Sequence, residues 1–155
     1  MLVFMDIDGV IADCSHRLKY LENKDYDKFY SEEMMMEDQP IQIGLNLLEM
    51  FLGNWEVELY LLTGRPYRTE EITKKWLKQY LPEFDCPPIL MRRDHDYRKS
   101  EVVKTEIVDK SLHNKNSVCY GADEILFIDD DPKNVKAVEE ACGKVKGIVF
   151  GATRL

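Results

Sequence analysis

Apolar residues follow two periods along this chain, and the alternation between them predicts the fold. Leu2-Val3-Phe4-Met5 is an unbroken apolar run with no turn-former, which reads as a buried strand. The carboxylates Asp6 and Asp8 stand where that strand ends, and Gly9 lets the chain turn. Ile41, Leu45, Leu48 and Leu52 recur at helical spacing and predict an amphipathic helix over 41–52, ended by Gly53-Asn54. Residues 56–62 predict a strand running into Thr63-Gly64-Arg65-Pro66. Ile72, Trp76 and Tyr80 share one face of a helix over 70–81, capped by Thr69 and stopped by Pro82. Pro87-Pro88-Ile89-Leu90-Met91 reads as a short third strand, its prolines placing it at an edge. Ser100 and Glu101 open another helix, with Lys104 in its first turns and Ile107 on its inner face. Residues 125–128 are a fourth buried strand ending in Asp129-Asp130-Asp131-Pro132. A helix over 134–141 with Gly143 as its C-cap and a strand over 145–150 complete the pattern.

Residues 13–40 keep neither period. Their many acids, set among Tyr20, Tyr26, Phe29 and Tyr30, predict one or two short helices that form a small flap over the first strand's tip, closed by Pro40. Met34-Met35-Met36 reads as gap-filling packing. Strands alternating with helices specify an α/β fold, a doubly wound and mostly parallel sheet with no large cap. The chain shows no repeat, low-complexity tract or linker, so residues 1–155 are read as one domain with a small flap within 14–40.

Composition narrows the partners. There is no apolar run near 18 residues and no basic leader with an apolar core, so the reading expects no membrane partner and a cytoplasmic protein. Cys14, Cys86, Cys119 and Cys142 are far apart and form no C-x-x-C pair, which predicts reduced thiols without a zinc site. The net charge of -8 excludes a broad nucleic-acid-coating surface but leaves room for a local basic groove.

Three apolar strands end in polar signatures: Asp6-Ile7-Asp8, Thr63-Gly64-Arg65 and Asp129-Asp130. In a parallel sheet these tips face one way, so residues distant in sequence meet at one edge. Four carboxylates there repel: at ~4 Å and an effective dielectric of ~20, each like-charged pair costs on the order of 4 kcal/mol. Either some are protonated or a cation sits among them, and carboxylate oxygens with room for water suit magnesium. A phosphate group accounts for the rest, because the Thr63 hydroxyl, backbone N–H groups at Thr63-Gly64 and the Lys104 ammonium suit phosphoryl oxygens. With both in place, Asp6 is the candidate nucleophile, forming an aspartyl-phosphate. Asp8 is the candidate acid/base, a role that calls for a raised pKa.

These residues resemble the haloacid dehalogenase superfamily. Its aspartate phosphatases carry D-x-D-G near the N-terminus, a Thr or Ser ending the second strand, a Lys, and an acidic pair ending a later strand. Here these are Asp6-Ile7-Asp8-Gly9, Thr63, Lys104 and Asp129-Asp130, spread over almost the whole chain. The resemblance implies a magnesium-dependent phosphatase with nucleophile Asp6, acid/base Asp8 and phosphate ligands Thr63 and Lys104. It also implies that Asp6, the Asp8 carbonyl and Asp130 hold the metal, with Asp129 in support. Asp131 is one acid more than the pattern and reads as a turn residue before Pro132.

A narrower likeness lies in Thr63-Gly64-Arg65 and in the run from Met91 through Arg92-Arg93 and Arg98-Lys99 to Val102-Val103-Lys104. It is similar to the 3′-phosphatase domain of bacteriophage polynucleotide kinase-phosphatase. No G-x-x-x-x-G-K-[ST] occurs, so the expected activity is phosphatase alone. Members of the superfamily differ in their caps; a chain with only a small flap is expected to have an open site that admits nucleic-acid ends, unless a second copy covers it. Arg65, Arg92, Arg93 and Arg98, with Lys99, would form a basic rim for a polyanion, with His95 and Tyr97 available to stack on bases. Asp94 and Asp96 in the same loop offer the competing account of a self-neutralised surface turn. Other phosphomonoesters, nucleotides among them, are the alternative substrates. A receiver-like phosphoacceptor would place its acceptor Asp where Thr63 stands, and a catalytically silent domain would most simply have lost Asp6 or Asp8, which are both present.

Overall fold

The computed structural model describes residues 1–151. Strand β1 (Leu2–Met5) is followed by β2 (Ala12–Asp13), a 3-10 turn at Ser15–Arg17 and three short helices, α1 (Leu18–Glu22), α2 (Tyr26–Phe29) and α3 (Glu32–Met36). Then come β3 (Gln39–Pro40), α4 (Gln42–Leu52), β4 (Glu58–Pro66), a 3-10 turn at Tyr67–Thr69 and α5 (Glu70–Tyr80). The chain continues through β5 (Ile89–Arg92), α6 (Ser100–His113), β6 (Ile125–Asp129), α7 (Pro132–Ala141) and β7 (Val145–Val149). The five long strands form a parallel sheet in the order β5-β4-β1-β6-β7, with β1 at its centre and β5 at an edge.

Side-chain alternation along β1 explains the two layers of helices. Val3 and Met5 pack with Leu45 and Leu48 of α4 and Trp76 and Leu77 of α5. Leu2 and Phe4 point the other way, into a cluster with Val108 of α6 and Val135 and Val138 of α7. A strand buried on both faces cannot alternate apolar with polar, which is why its sequence reads as an apolar run. The doubly wound, mostly parallel α/β fold is the one expected.

The differences lie at element ends and in the flap. Residues 14–40 hold three short helices rather than one or two, and β2 and β3 close the segment as an antiparallel ribbon. Helix α5 does follow Thr69, but the Thr69 hydroxyl donates to the Pro66 carbonyl at 2.7 Å instead of capping the helix. The C-cap of α7 is Cys142, one residue before Gly143. Asp131 is the N-cap of α7, accepting from the Lys133 N–H at 2.9 Å. In β4 the pairing with β5 shifts: Thr63 faces Met91, yet Pro66 faces Arg92, so Gly64 and Arg65 bulge out of register. No helix among the described residues is long and apolar enough to cross a membrane.

Candidate active site

The carboxyl ends of β1, β4 and β6 meet as expected. Asp6 lies one residue beyond β1, its N–H donating to the Ile128 carbonyl at 2.9 Å. Helix α6 packs against β4 and β5, and this carries the buried Lys104 to the same place. Its Nζ lies 2.8 Å from Asp6 Oδ2 and 2.6 Å from Asp129 Oδ2. Asp129 is further held by Asn134 Nδ2, at 3.0 and 3.1 Å, and by the Asp131 N–H at 2.9 Å.

Asp6 Oδ1 is buried without a hydrogen-bond partner among the described residues. A carboxylate oxygen in that state is costly unless a cation faces it. Asp6, Asp129 and Asp130 each present an oxygen, all within 4.8 Å of one another. Burial drives the Asp6 carboxyl well above the usual range, with Lys104 opposing and Asp129 and Asp8 adding to the rise. Burial and the neighbouring Asp129 push Asp130 up to about 6, Lys104 again opposing. An all-oxygen, electron-rich set with an unsatisfied oxygen fits a hard divalent cation. Because Asp129 is already engaged by Lys104 and Asn134, Asp6 and Asp130 are the freer ligands.

Gly9 shapes this pocket. Its φ of +83° suits glycine, and a Cβ there would stand 2.0 Å from Asp130 Oδ2. Gly9→Ala is therefore expected to displace the Asp130 carboxylate and cost about 1–3 kcal/mol, read as a lower Tm by circular dichroism.

Asp8 has the opposite electrostatics. Arg65 Nε and Nη2 donate to its two oxygens at 2.9 and 2.6 Å, and Arg17 Nη2 donates at 3.1 Å. Burial alone would raise the Asp8 carboxyl, but the Arg65 guanidinium, backed by Arg17, holds it below the usual range. This reverses the raised pKa that the acid/base role calls for, because Arg65, 57 residues on, and Arg17 of the flap converge on one carboxylate. Both arginines are locked by Asp38: Arg17 Nε and Nη2 each lie at 2.8 Å from its carboxylate and Arg65 Nη2 at 3.0 Å. His16 Nε2 joins at 2.9 Å, and Trp76 Nε1 donates to the Asp38 carbonyl at 2.9 Å. The flap is thus tied into the core through buried charge.

A cleft of about 500 Å³ opens over these groups. Asp6, Asp8, Gly64, Lys104, Asp130 and the arginines 92, 93 and 98 line it; Thr63, Arg65 and Asp129 stand behind its wall. The Thr63 hydroxyl accepts from the Arg65 N–H at 3.2 Å. Placement corrects the basic rim. Arg65 is buried against Asp8, not on a rim. Arg92 is turned into its own loop, donating to the carbonyls of Gly64, Asp96 and Arg98 at 2.9, 2.8 and 2.5 Å. Arg98 is paired with Asp96 at 2.7 Å and Glu106 at 2.8 Å. Arg93 is exposed, and its guanidinium makes no hydrogen bond or ion pair among the described residues. Arg17, Asp38 and Asn134 are the site residues that sequence reading passed over. Arg17 had one faint signal, as the sole arginine between 13 and 40.

The family model of the polynucleotide kinase PNKP phosphatase domain matches residues 1–138. The chain superposes on a chain from the structure of a Pnkp1/Rnl/Hen1 complex with a TM-score of 0.69 and 21% identity, covering 96% of this chain and 45% of that one. A chain from the structure of the Pnkp1/Rnl/Hen1 RNA repair complex gives 0.70 and 22%, covering 97% and 43%. This chain therefore spans less than half the length of either. Among curated proteins no match was found. A family match over residues 1–138 of its 155 places the chain in the haloacid dehalogenase-type polynucleotide kinase PNKP phosphatase domain family.

Proposed function

We propose that this domain is a magnesium-dependent phosphomonoesterase that removes 3′-phosphates from polynucleotide ends through an aspartyl-phosphate on Asp6. The observation that carries the reading is the Asp6 carboxylate, with one oxygen held by Lys104 and the other buried and unpartnered beside Asp130. Asp6, Asp130 and the Asp8 carbonyl would hold the ion, with Asp129 in support. Bound magnesium would supply positive charge that screens the substrate phosphate from these carboxylates.

Lys104 and the Gly64 N–H, which line the cleft, bind the nonbridging phosphoryl oxygens, with Thr63 directly behind them. Asp6 attacks phosphorus in line; an Asp6–phosphorus bond forms and the ester P–O bond breaks. Asp8, ionised in the free protein by Arg65 and Arg17, cannot supply that step with a resident proton. The proton carried by the substrate monoanion passes through Asp8 to the leaving oxygen, and Asp8 later takes one from the attacking water. The second phosphate pKa lies near 6, so kcat/KM is expected to fall as pH rises above neutrality.

The flap stops short of a cap and leaves the cleft open, which supports a polymer end over a small metabolite. The four cysteines, free in the structure, support a reducing compartment, the cytoplasm. The first test compares metal-dependent phosphate release from a 3′-phosphorylated oligonucleotide and the matching mononucleotide. Oligonucleotide preference supports the reading, mononucleotide preference makes the domain a nucleotidase, and silence on both overturns a phosphatase of nucleotide 3′-ends.

Metal should also govern stability. The folded protein holds the Asp130 proton more tightly than the unfolded chain does, so ionising it opposes folding. This stabilisation is full below about pH 4 and is lost as pH rises through about 6. Asp8, shifted down, acts in the opposite sense and only below about pH 4. In EDTA, Tm is expected to fall between those pH values, and magnesium at pH 7 to restore it; a melt series with and without metal checks both.

A further inference from the structure

The loop between β5 and α6 holds an aromatic ring in water beside the cleft, and it does so with many internal bonds. The Arg92 guanidinium gathers the carbonyls of Asp96 and Arg98. Asp94 Oδ1 accepts from the Arg68 N–H at 2.8 Å, and Asp96 Oδ1 accepts from the Arg98 N–H at 3.1 Å. His95 takes a left-handed φ of +62°, a conformation that costs free energy in a non-glycine residue. The result is Tyr97, 64% exposed at the cleft. From the flap, Tyr26 of α2 meets it with ring centroids 5.2 Å apart and planes tilted by 45°. Two elements unrelated in sequence therefore converge to fix one exposed ring. Arg93, whose guanidinium has no protein partner among the described residues, lines the same cleft.

An exposed aromatic is ordinarily a small liability, and a strained, bonded loop is an odd way to maintain one. A planar ring fixed on the wall of a cleft that also presents an unpaired cation and a candidate phosphate site matches the chemistry of a nucleobase and its backbone phosphate. We infer that Tyr97, propped by Tyr26, is a stacking platform for the base of the nucleotide whose phosphate enters the site. This rests on the polynucleotide reading above and deepens it. Stacking uses the π-face that every base has, so the platform favours no sequence. It does require the terminal base to leave its own helix, so unpaired 3′-ends are favoured over blunt duplex ends.

The test uses wild-type protein with magnesium and 3′-phosphorylated single strands that carry either an intact or an abasic terminal nucleotide. The intact end is expected to give kcat/KM about ten-fold higher, the difference lying in KM. Tyr97→Ala should shrink that ratio to less than about two-fold, whereas Tyr97→Phe, which keeps the ring face, should preserve it. A blunt duplex should resemble the abasic strand. Equal rates of wild type on intact and abasic ends, or an undiminished ratio in Tyr97→Ala, overturn the platform alone. Failure of wild type to release phosphate from either strand while hydrolysing an aryl phosphate overturns the polynucleotide reading, and the platform with it.

Discussion

Asp6→Asn is expected to lower kcat for phosphate release by about 10⁴-fold or more, the scale seen when a covalent nucleophile is removed. The amide has the shape of the carboxylate but no anionic oxygen to bond phosphorus. The fold should survive, and for a stated reason. Lys104 keeps Asp129 at 2.6 Å, so its buried charge is not orphaned. Loss of the Asp6 charge also relieves a carboxylate that burial, Asp129 and Asp8 all oppose. Tm in metal-free buffer should therefore hold or rise while activity disappears. Turnover within about ten-fold of wild type would remove Asp6 from the nucleophile's role.

Asp38→Ala carries the largest expected loss of stability. The Asp38 carboxylate lies between the buried guanidiniums of Arg17 and Arg65, with His16 beside it. Without it, two buried cations share Asp8 alone. Breaking a buried ion pair by removing one partner costs about 3–5 kcal/mol, which for a domain of this size is about 10 °C in Tm. Lys28 and Glu33 form an exposed pair on the flap, at 3.1 Å, and give the control. Glu33→Ala should cost at most about 1 kcal/mol. Thermal melts of both variants in EDTA make the comparison; an Asp38→Ala protein that melts with wild type would show that the cluster does not hold the flap.

Periodicity sets how much of this molecule is legible in its sequence. β1 and β6 are buried on both faces, so their apolar runs and terminal acids stand out, and Lys104, which alone reads as an exposed helix lysine, is legible from its place between the second and fourth polar signatures. The flap is not legible in that way. Its helices are four or five residues long, too short to show a period, although Asp25 and Ser31 mark two of their starts by capping with their side chains. Arg65 misleads for a different reason: an arginine after a strand reads as exposed, and its burial depends on Asp8 and Asp38, which lie 57 and 27 residues away. The same network reverses the expected shift at Asp8. Pairing across the fold decides both, and no local pattern records it.

The out-of-register stretch of β4 has a consequence for how this chain can change. Between Thr63 and Pro66 two residues pass with no advance along β5, and this slack swings Arg65 beneath Asp8. Excising one residue there would leave the rest of the polar signature spelled as before, yet it would flip the parity of every position after the cut and turn the guanidinium away from its carboxylates. At Gly64, chain length is under tighter constraint than side-chain identity. Engineered or natural variants should tolerate exchanges at Gly64 far better than insertions or deletions beside it.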